Sequence, residues 1–318
     1  MPAATGMARS LCMLAVAVAA GCVTQPPPAP AFDPARSRCG AAPIFAEGAE
    51  RSTLWIRHSA EFRAASETIY RAAEAALAQG LADPGWSAEP AQTGDFSLLP
   101  PALVMDIDET VLDNSAPQAR MLLDETCFTE FAAVWDAWVA GRAAPAVPGA
   151  AEFIRAARGM KDARGRPVRI FFITNRECSR RANDNSACPQ QDDTAANLRA
   201  LGLDAPALVD DLMLKGERPD WVGEKLSRRV EIAKSYRIVL NVGDDLADFL
   251  PGVRRQGVPE RERARCTQDA RWGRQWFMIP NPMYGSWLVA LGSSAEAALA
   301  AAPPALQDCK RPSAPPPL

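Results

Sequence analysis

Three short apolar runs, each closed by a carboxylate or a hydroxyl, constrain this chain more than any other feature. They are Ala102-Leu-Val-Met-Asp-Ile-Asp108, Arg169-Ile-Phe-Phe-Ile-Thr174 and Arg237-Ile-Val-Leu-Asn-Val-Gly-Asp244. Each has the length of one strand and is too continuously apolar for a strand with a wet face. Between them, residues 195–200 (with Leu198 and Leu201) and 224–234 read as crossover helices. Buried strands alternating with helices predict an α/β fold, a Rossmann-like parallel sheet with helices on both faces. Ligands of such sheets bind beyond the carboxyl ends of the strands. Asp106, Asp108, Thr174 and Asp244 are therefore expected in one crevice.

Composition narrows the chemistry. Lys plus Arg is 35 against 38 Asp plus Glu, a net charge of −3, so no basic field recommends nucleic acid as a partner. The single histidine, His58, falls within a helical pattern over residues 54–79 that Gly80 is expected to stop. One histidine excludes phosphohistidine chemistry, most Ser-His-Asp arrangements and histidine-rich zinc sites. Hydrolysis here must run on carboxylates, lysine, hydroxyls or thiols.

The amino terminus reads as a leader. Arg9 precedes an apolar run from Leu11 to Ala20, followed by Gly21-Cys22. At about ten residues the run fits a secretory signal and is too short to span a bilayer. The small-small-Cys ending resembles a lipobox, which would make Cys22 a lipidated amino terminus, although Ala19 stands where the usual pattern has Leu. Ala17-Val18-Ala19 also satisfies ordinary signal cleavage. The expected organisation is a signal over residues 1–21, a proline-rich tether over 22–50, one globular domain over 51–300 and a proline-rich tail over 301–318. The protein is expected to be exported, as an outer-membrane lipoprotein or in the periplasm, meeting the membrane only through its anchor. Cys39, Cys127, Cys178, Cys188, Cys266 and Cys309 then read as potential disulfides, with Cys178–Cys188 the expected pair.

Asp106 and Asp108 stand two residues apart at a strand exit, so one can attack while the other moves a proton. Asp244 and Asp248 lie at i and i+4, and with Asp106 they make an all-oxygen cluster suited to Mg²⁺. Lys215 and Lys225 are both placed to supply the cation that a phosphate would need. The Arg180-Arg181 pair and the cluster Arg254, Arg255, Arg261, Arg263 and Arg265 read as solvated faces, with phosphate attraction a secondary role.

Val104-Met-Asp-Ile-Asp-Glu-Thr-Val-Leu-Asp-Asn114, Phe172-Ile-Thr-Asn-Arg176, Val242-Gly-Asp-Asp-Leu-Ala-Asp-Phe249 and Pro280-Asn-Pro-Met-Tyr-Gly285 occur in that order. The series resembles the haloacid dehalogenase superfamily and, within it, the class C bacterial acid phosphatases, the lipoprotein e(P4) family. Trp55-Ile-Arg-His-Ser-Ala-Glu-Phe62 is similar to that family's amino-terminal segment, so the resemblance runs from about residue 54 to about 288.

The resemblance implies an exported, Mg²⁺-dependent phosphomonoesterase. Asp106 would form an aspartyl-phosphate, and Asp108 would act as general acid and then base, which favours acidic pH. Thr174 would hydrogen-bond the phosphoryl group, with Asn175 also contacting substrate. The Asp106 carboxylate, the Asp108 carbonyl and Asp244 would hold Mg²⁺, with Asp248 in support. Spacing to the Gly-Asp motif selects Lys225 over Lys215. Asp245 departs from the Asn common in relatives; as an extra carboxylate it would tighten the metal site or face solvent. A small helical cap, inserted at about 114–149 and carrying Trp135 and Trp138, would clamp the organic part of a nucleoside monophosphate against Tyr284. The rival readings are a non-catalytic surface lipoprotein that captures a cofactor or haem, disfavoured by the lone histidine, and a phosphotransferase using the same intermediate.

Overall fold

The computed structural model describes residues 49–126, 130–182, 184–292, 295–300 and 309. The leader, Cys22, most of the tether, Cys39, Cys127 and nearly all of the tail lie outside the described residues.

Five parallel strands form one sheet: β1 (Pro101–Met105), β2 (Arg169–Glu177), β3 (Leu212–Lys215), β4 (Arg237–Gly243) and β5 (Trp276–Met278), in the order β3-β2-β1-β4-β5. β1, β2 and β4 are the three apolar runs. The helices are α1 (Ala49–His58), α2 (Ala60–Ala82), α3 (Ser115–Leu123), α4 (Phe131–Gly141), α5 (Ala150–Gly159), α6 (Pro189–Ala200), α7 (Leu226–Ala233), α8 (Val258–Thr267) and α9 (Ser286–Ala290), besides a short one near the tail.

Alternation along the strands divides the core in two. Leu103, Met105, Ile170 and Phe172 pack with Leu77 of α2, Phe153 of α5 and Leu198 of α6. Ala102, Val104, Phe171 and Ile173 face the other way, onto Ile232 of α7, Val253 and Trp276. A bulge in β4 opposite Ala102 and Leu103 breaks the alternation, so that Val239 and Leu240 both join the first cluster. Each fully buried side chain of this kind contributes roughly 1.5–3 kcal/mol, which is why both faces must be covered.

The amino-terminal pattern forms two helices rather than one. Ser59 is extended (φ −81°, ψ 139°) and its hydroxyl accepts from Phe62 N at 3.0 Å, capping α2 immediately after α1. Gly80 does not stop the helix, which continues to Ala82. A Cβ on Gly80 would lie 2.5 Å from Val239 Cγ1, so its glycine permits α2 to press on β4.

Strands β1, β2 and β3 advance in one direction and β4 starts again on the other side of β1. This reversal opens a crevice at the carboxyl ends of β1 and β4. Helices α3 and α4 fill the interval between β1 and α5, and α4 lies against α6. A Cys178–Cys188 disulfide closes the loop after β2, as expected, and Cys266 of α8 is bonded to Cys309. Among the described residues no helix is long and apolar enough to cross a membrane.

Candidate active site

The strand ends converge as the topology requires. A cavity of about 570 Å³ is lined by Asp106, Asp108, Asn175, Lys225, Asp244 and Asp248, together with aromatic residues of α4 and the Tyr284 turn. Asp106 follows β1 and is only 7% exposed, and its backbone N–H donates to Val242 O of β4 at 2.9 Å. Lys225 is 4% exposed and pairs with Asp106 Oδ1 and, at 2.6 Å, with Asp248 Oδ1. Lys215 instead meets Glu177 at the surface, so the two lysines left open by residue type are separated by place.

Asp106, Asp244 and Asp248 each bring a carboxylate oxygen within 4.8 Å of the others. Burial pushes the Asp106 carboxyl up to about 6, with Asp248 and Asp108 adding to the rise and Lys225 opposing it. Burial, then Asp248 and Asp106, hold Asp244 well above the ordinary range. Burial works against the Lys225 charge, but its two carboxylate partners more than offset that and raise it. Three clustered carboxylates against one ammonium leave a deficit of positive charge in a hard-oxygen site. That deficit fits a divalent cation.

Asp248 differs from the other two. Its Oδ2 accepts from the Asp244 and Asp245 amides at 3.1 and 3.0 Å, and its Oδ1 holds Lys225. Both oxygens are engaged, so in this structure it fixes Lys225 and the turn after β4. A Cβ at Gly243 would overlap the Asp248 carboxylate, which explains the glycine before Asp244. Asp244 itself accepts from Asn281 Nδ2 at 2.8 Å, bringing the Pro280-Asn281 turn to the site.

Asp108 is held from three sides. Arg176 donates from Nε and Nη2 at 3.0 and 2.8 Å, Asn114 Nδ2 at 3.0 Å and Thr174 Oγ1 at 3.2 Å. Thr174 is fully buried behind Asp108, and its hydroxyl also accepts from Arg176 N. In this arrangement Thr174 orients Asp108 at the floor of the site. Asn175 does line the cavity, its amide oxygen steadied by Arg228 Nη2 at 2.9 Å.

Several residues of the site carry no chemical signature in the sequence. Arg228 is fully buried and also donates to the Thr174 and Met213 carbonyls, locking β2, β3 and the Lys225 segment together. Burial lowers its guanidinium to about 10. Glu109 takes a left-handed conformation (φ 59°) and its buried carboxylate accepts from Asn114 N at 2.7 Å, shaping the turn that follows Asp108. Arg176 was readable as part of a motif but not as the partner of Asp108.

Three expectations are corrected by packing. Asp245 neither joins the cluster nor faces solvent; it caps the turn at Ala247 and accepts from the Ser286 amide and hydroxyl, both at 2.5 Å. Arg261 is buried against Val253 O and Ser286 Oγ, each at 2.8 Å, rather than solvated. Arg181 grips Asp136 of α4 with two hydrogen bonds at 2.7 and 2.8 Å and also reaches Asp193 of α6. The two tryptophans part company as well. Trp135 lines the cavity beside Phe131, whereas Trp138 donates to Asn114 Oδ1 at 2.8 Å and packs on the core. Tyr284 lines the same cavity, and its hydroxyl meets no partner among the described residues.

Comparison with known proteins gives the family. The family model for HAD superfamily subfamily IIIB (acid phosphatase) matches residues 46–287. The chain is similar to the class C acid phosphatase from Bacillus anthracis, with 29% identity and a TM-score of 0.58 over 76% of this chain and 87% of that one. It is similar also to the tungstate-bound structure of that enzyme, with 28% identity and a TM-score of 0.61 over 79% and 92% of the two chains. The chain therefore belongs to the acid phosphatases of HAD subfamily IIIB and is a phosphomonoesterase.

Proposed function

We propose that this acid phosphatase is an exported, Mg²⁺-dependent enzyme that hydrolyses nucleoside monophosphates through an aspartyl-phosphate on Asp106. The observation that carries the reading is the buried Asp106–Lys225–Asp248 cluster beside Asp108, opening into a cavity with an aromatic wall. Lys225 occupies Asp106 Oδ1 and leaves Oδ2 to attack phosphorus. As the bond from phosphorus to the ester oxygen breaks, Asp108 gives its proton to the leaving alkoxide. Asp108 then takes a proton from water, which attacks the aspartyl-phosphate and releases inorganic phosphate and the free Asp106 carboxylate. Arg176, Asn114 and Thr174 keep Asp108 aimed through both steps. The Asp106 carboxylate, the Asp108 carbonyl and Asp244 would hold Mg²⁺, with Asp248 supporting them through Lys225. The cation supplies charge neutralisation for the phosphoryl oxygens. That the similar Bacillus anthracis enzyme has a structure with tungstate bound, a tetrahedral oxyanion, supports a phosphoryl ligand here. The two disulfides among the described residues suit an oxidising compartment, and the leader with Cys22 supports export and a lipid anchor.

The test is phosphate release from a nucleoside 5′-monophosphate and from p-nitrophenyl phosphate at about pH 5.5, with Mg²⁺ and with EDTA. Both esters should be hydrolysed, the nucleotide with the higher kcat/KM, and EDTA should abolish turnover. Full activity after exhaustive chelation would sink the metal, and a preference for p-nitrophenyl phosphate would sink the nucleotide.

The grip of Arg181 on Asp136 sets the helix that carries Trp135, and Arg181 belongs to the loop closed by Cys178–Cys188. Stacking of a base is worth roughly 1–3 kcal/mol. Arg181→Gln should therefore raise KM for the nucleotide by about tenfold and change kcat by less than about twofold. Steady-state kinetics decide it: an unchanged KM, or a loss confined to kcat, would show that Arg181 does not position the aromatic wall.

A further inference from the structure

The cavity is lined by four cationic side chains, and two of them are already committed. Lys225 is paired with Asp106 and Asp248, and Arg176 with Asp108. The other two, Arg254 and Arg255, belong to the 3-10 turn Val253–Arg255 and form no hydrogen bond or ion pair among the described residues. Arg254 Nε is buried without a partner. Asp245 is near enough for Arg254 to help lower its carboxyl, but the two form no ion pair, and the Asp245 oxygens accept from Ser286 and Ala247.

The turn that bears them is held in place. Val253 is buried in the second core cluster, and its carbonyl accepts from Arg261, which also binds Ser286 Oγ at the cavity wall. Arg254 lies close enough to Arg228 and Arg261 to work against the charge of each. Three guanidiniums are thus gathered with Arg254 the one lacking a carbonyl or carboxylate, on a fixed turn and beside a cavity large enough for a nucleotide. Such a position is stabilised by an anion brought in with the ligand.

We infer that Arg254 and Arg255 form a subsite for a second phosphate of the substrate, separate from the phosphoryl group that reacts at Asp106. The preferred substrates are then phosphomonoesters that carry two phosphates, of which a nucleoside 3′,5′-bisphosphate is the nucleotide form. This inference rests on the phosphatase reading of the Asp106 site and specifies its substrate class. The reacting phosphoryl group faces Lys225 and Asp106. A second phosphate on the same molecule meets the two guanidiniums, which bind phosphate through forked, charge-assisted hydrogen bonds.

The test compares kcat/KM within two substrate pairs: adenosine 3′,5′-bisphosphate against adenosine 5′-monophosphate, and fructose 1,6-bisphosphate against fructose 6-phosphate. In wild type the bisphosphate should be favoured by about tenfold or more, and added salt should shrink that ratio. Arg254→Gln should bring the ratio toward one, Arg255→Gln should lower it less, and Arg254→Lys should retain part of it. A wild-type ratio near one, or a ratio unchanged in Arg254→Gln, overturns the subsite. Equal losses on both members of a pair also overturn it, because the arginines would then serve the reacting group. If the fructose esters are hydrolysed and the adenosine esters are not, the nucleotide reading fails while the fructose ratio still decides the subsite. Arg255→Gln and the salt series supply the same ratio should Arg254→Gln not fold.

Discussion

Asp106→Asn should release phosphate at least about ten-thousandfold more slowly than wild type, because the carboxylate that bonds to phosphorus has no substitute in the cavity. Asp108 points into its own set of donors from Arg176, Asn114 and Thr174, and Asp248 has both oxygens engaged. The same substitution should not weaken the metal-free fold. Asn keeps the shape of Asp106 and removes one of three clustered buried carboxylates, while Lys225 retains Asp248. Its melting temperature in EDTA should therefore equal or exceed that of wild type, the trade between stability and activity expected where like charges are gathered for function. A variant that keeps a tenth of the activity would exclude Asp106 as nucleophile. One that melts well below wild type would show that the Asp106–Lys225 pair holds the fold together more than the carboxylate repulsion strains it.

The fold and the floor of the site were legible in the sequence for different reasons. β1, β2 and β4 announced themselves because central parallel strands are buried on both faces and read as unbroken apolar runs. β3 and β5 did not, since Leu212–Lys215 and Trp276–Met278 are too short to show a pattern. Asp106 and Asp244 were legible because strand ends converge and chemistry needs carboxylates there, whereas residue type left Lys215 and Lys225 open and only the family spacing separated them. The supports were not. Arg228 and Arg176 look like any surface arginine until the fold wraps carbonyls or a carboxylate around them, and nothing local in the chain specifies a burial that distant segments create. Asp245, a departure from the Asn common in relatives, reads from the sequence as either a further metal ligand or a solvent-facing carboxylate, but a local cap and the approach of Ser286 claim it. Arg181 was read as solvated because its partners, Asp136 and Asp193, lie 45 and 12 residues away.

The carboxylate cluster should also make the stability of the metal-free protein depend on pH in a direction opposite to that of a salt-bridged acid. Asp106 titrates at about 6 in the fold, above its ordinary 3.8, and Asp244 is raised as well, so the folded state binds more protons than the unfolded chain in this range. Stability then falls as pH rises through the folded values. Glu109, Asp211 and Glu217 are raised too and add in the same sense. The carboxylates that hydrogen bonds lower, Asp136, Asp162 and Asp245 among them, act only below their unfolded values and are flat between pH 5.5 and 7.5. Asp106 alone accounts for about 1 kcal/mol over that interval, or about 2–4 °C in a domain of this size. In EDTA the melting temperature should be higher at pH 5.5 than at 7.5 by at least that much, and Asp106→Asn should reduce the slope. Because protons and a divalent cation compete for the same oxygens, Mg²⁺ should raise the melting temperature more at pH 7.5 than at 5.5. Calorimetry at the two pH values, with and without Mg²⁺, decides it. A metal-free protein that melts higher at pH 7.5 would mean that Lys225 outweighs burial and keeps Asp106 ionised in the acid range, and a Mg²⁺ effect equal at both values would place the cation away from these carboxylates.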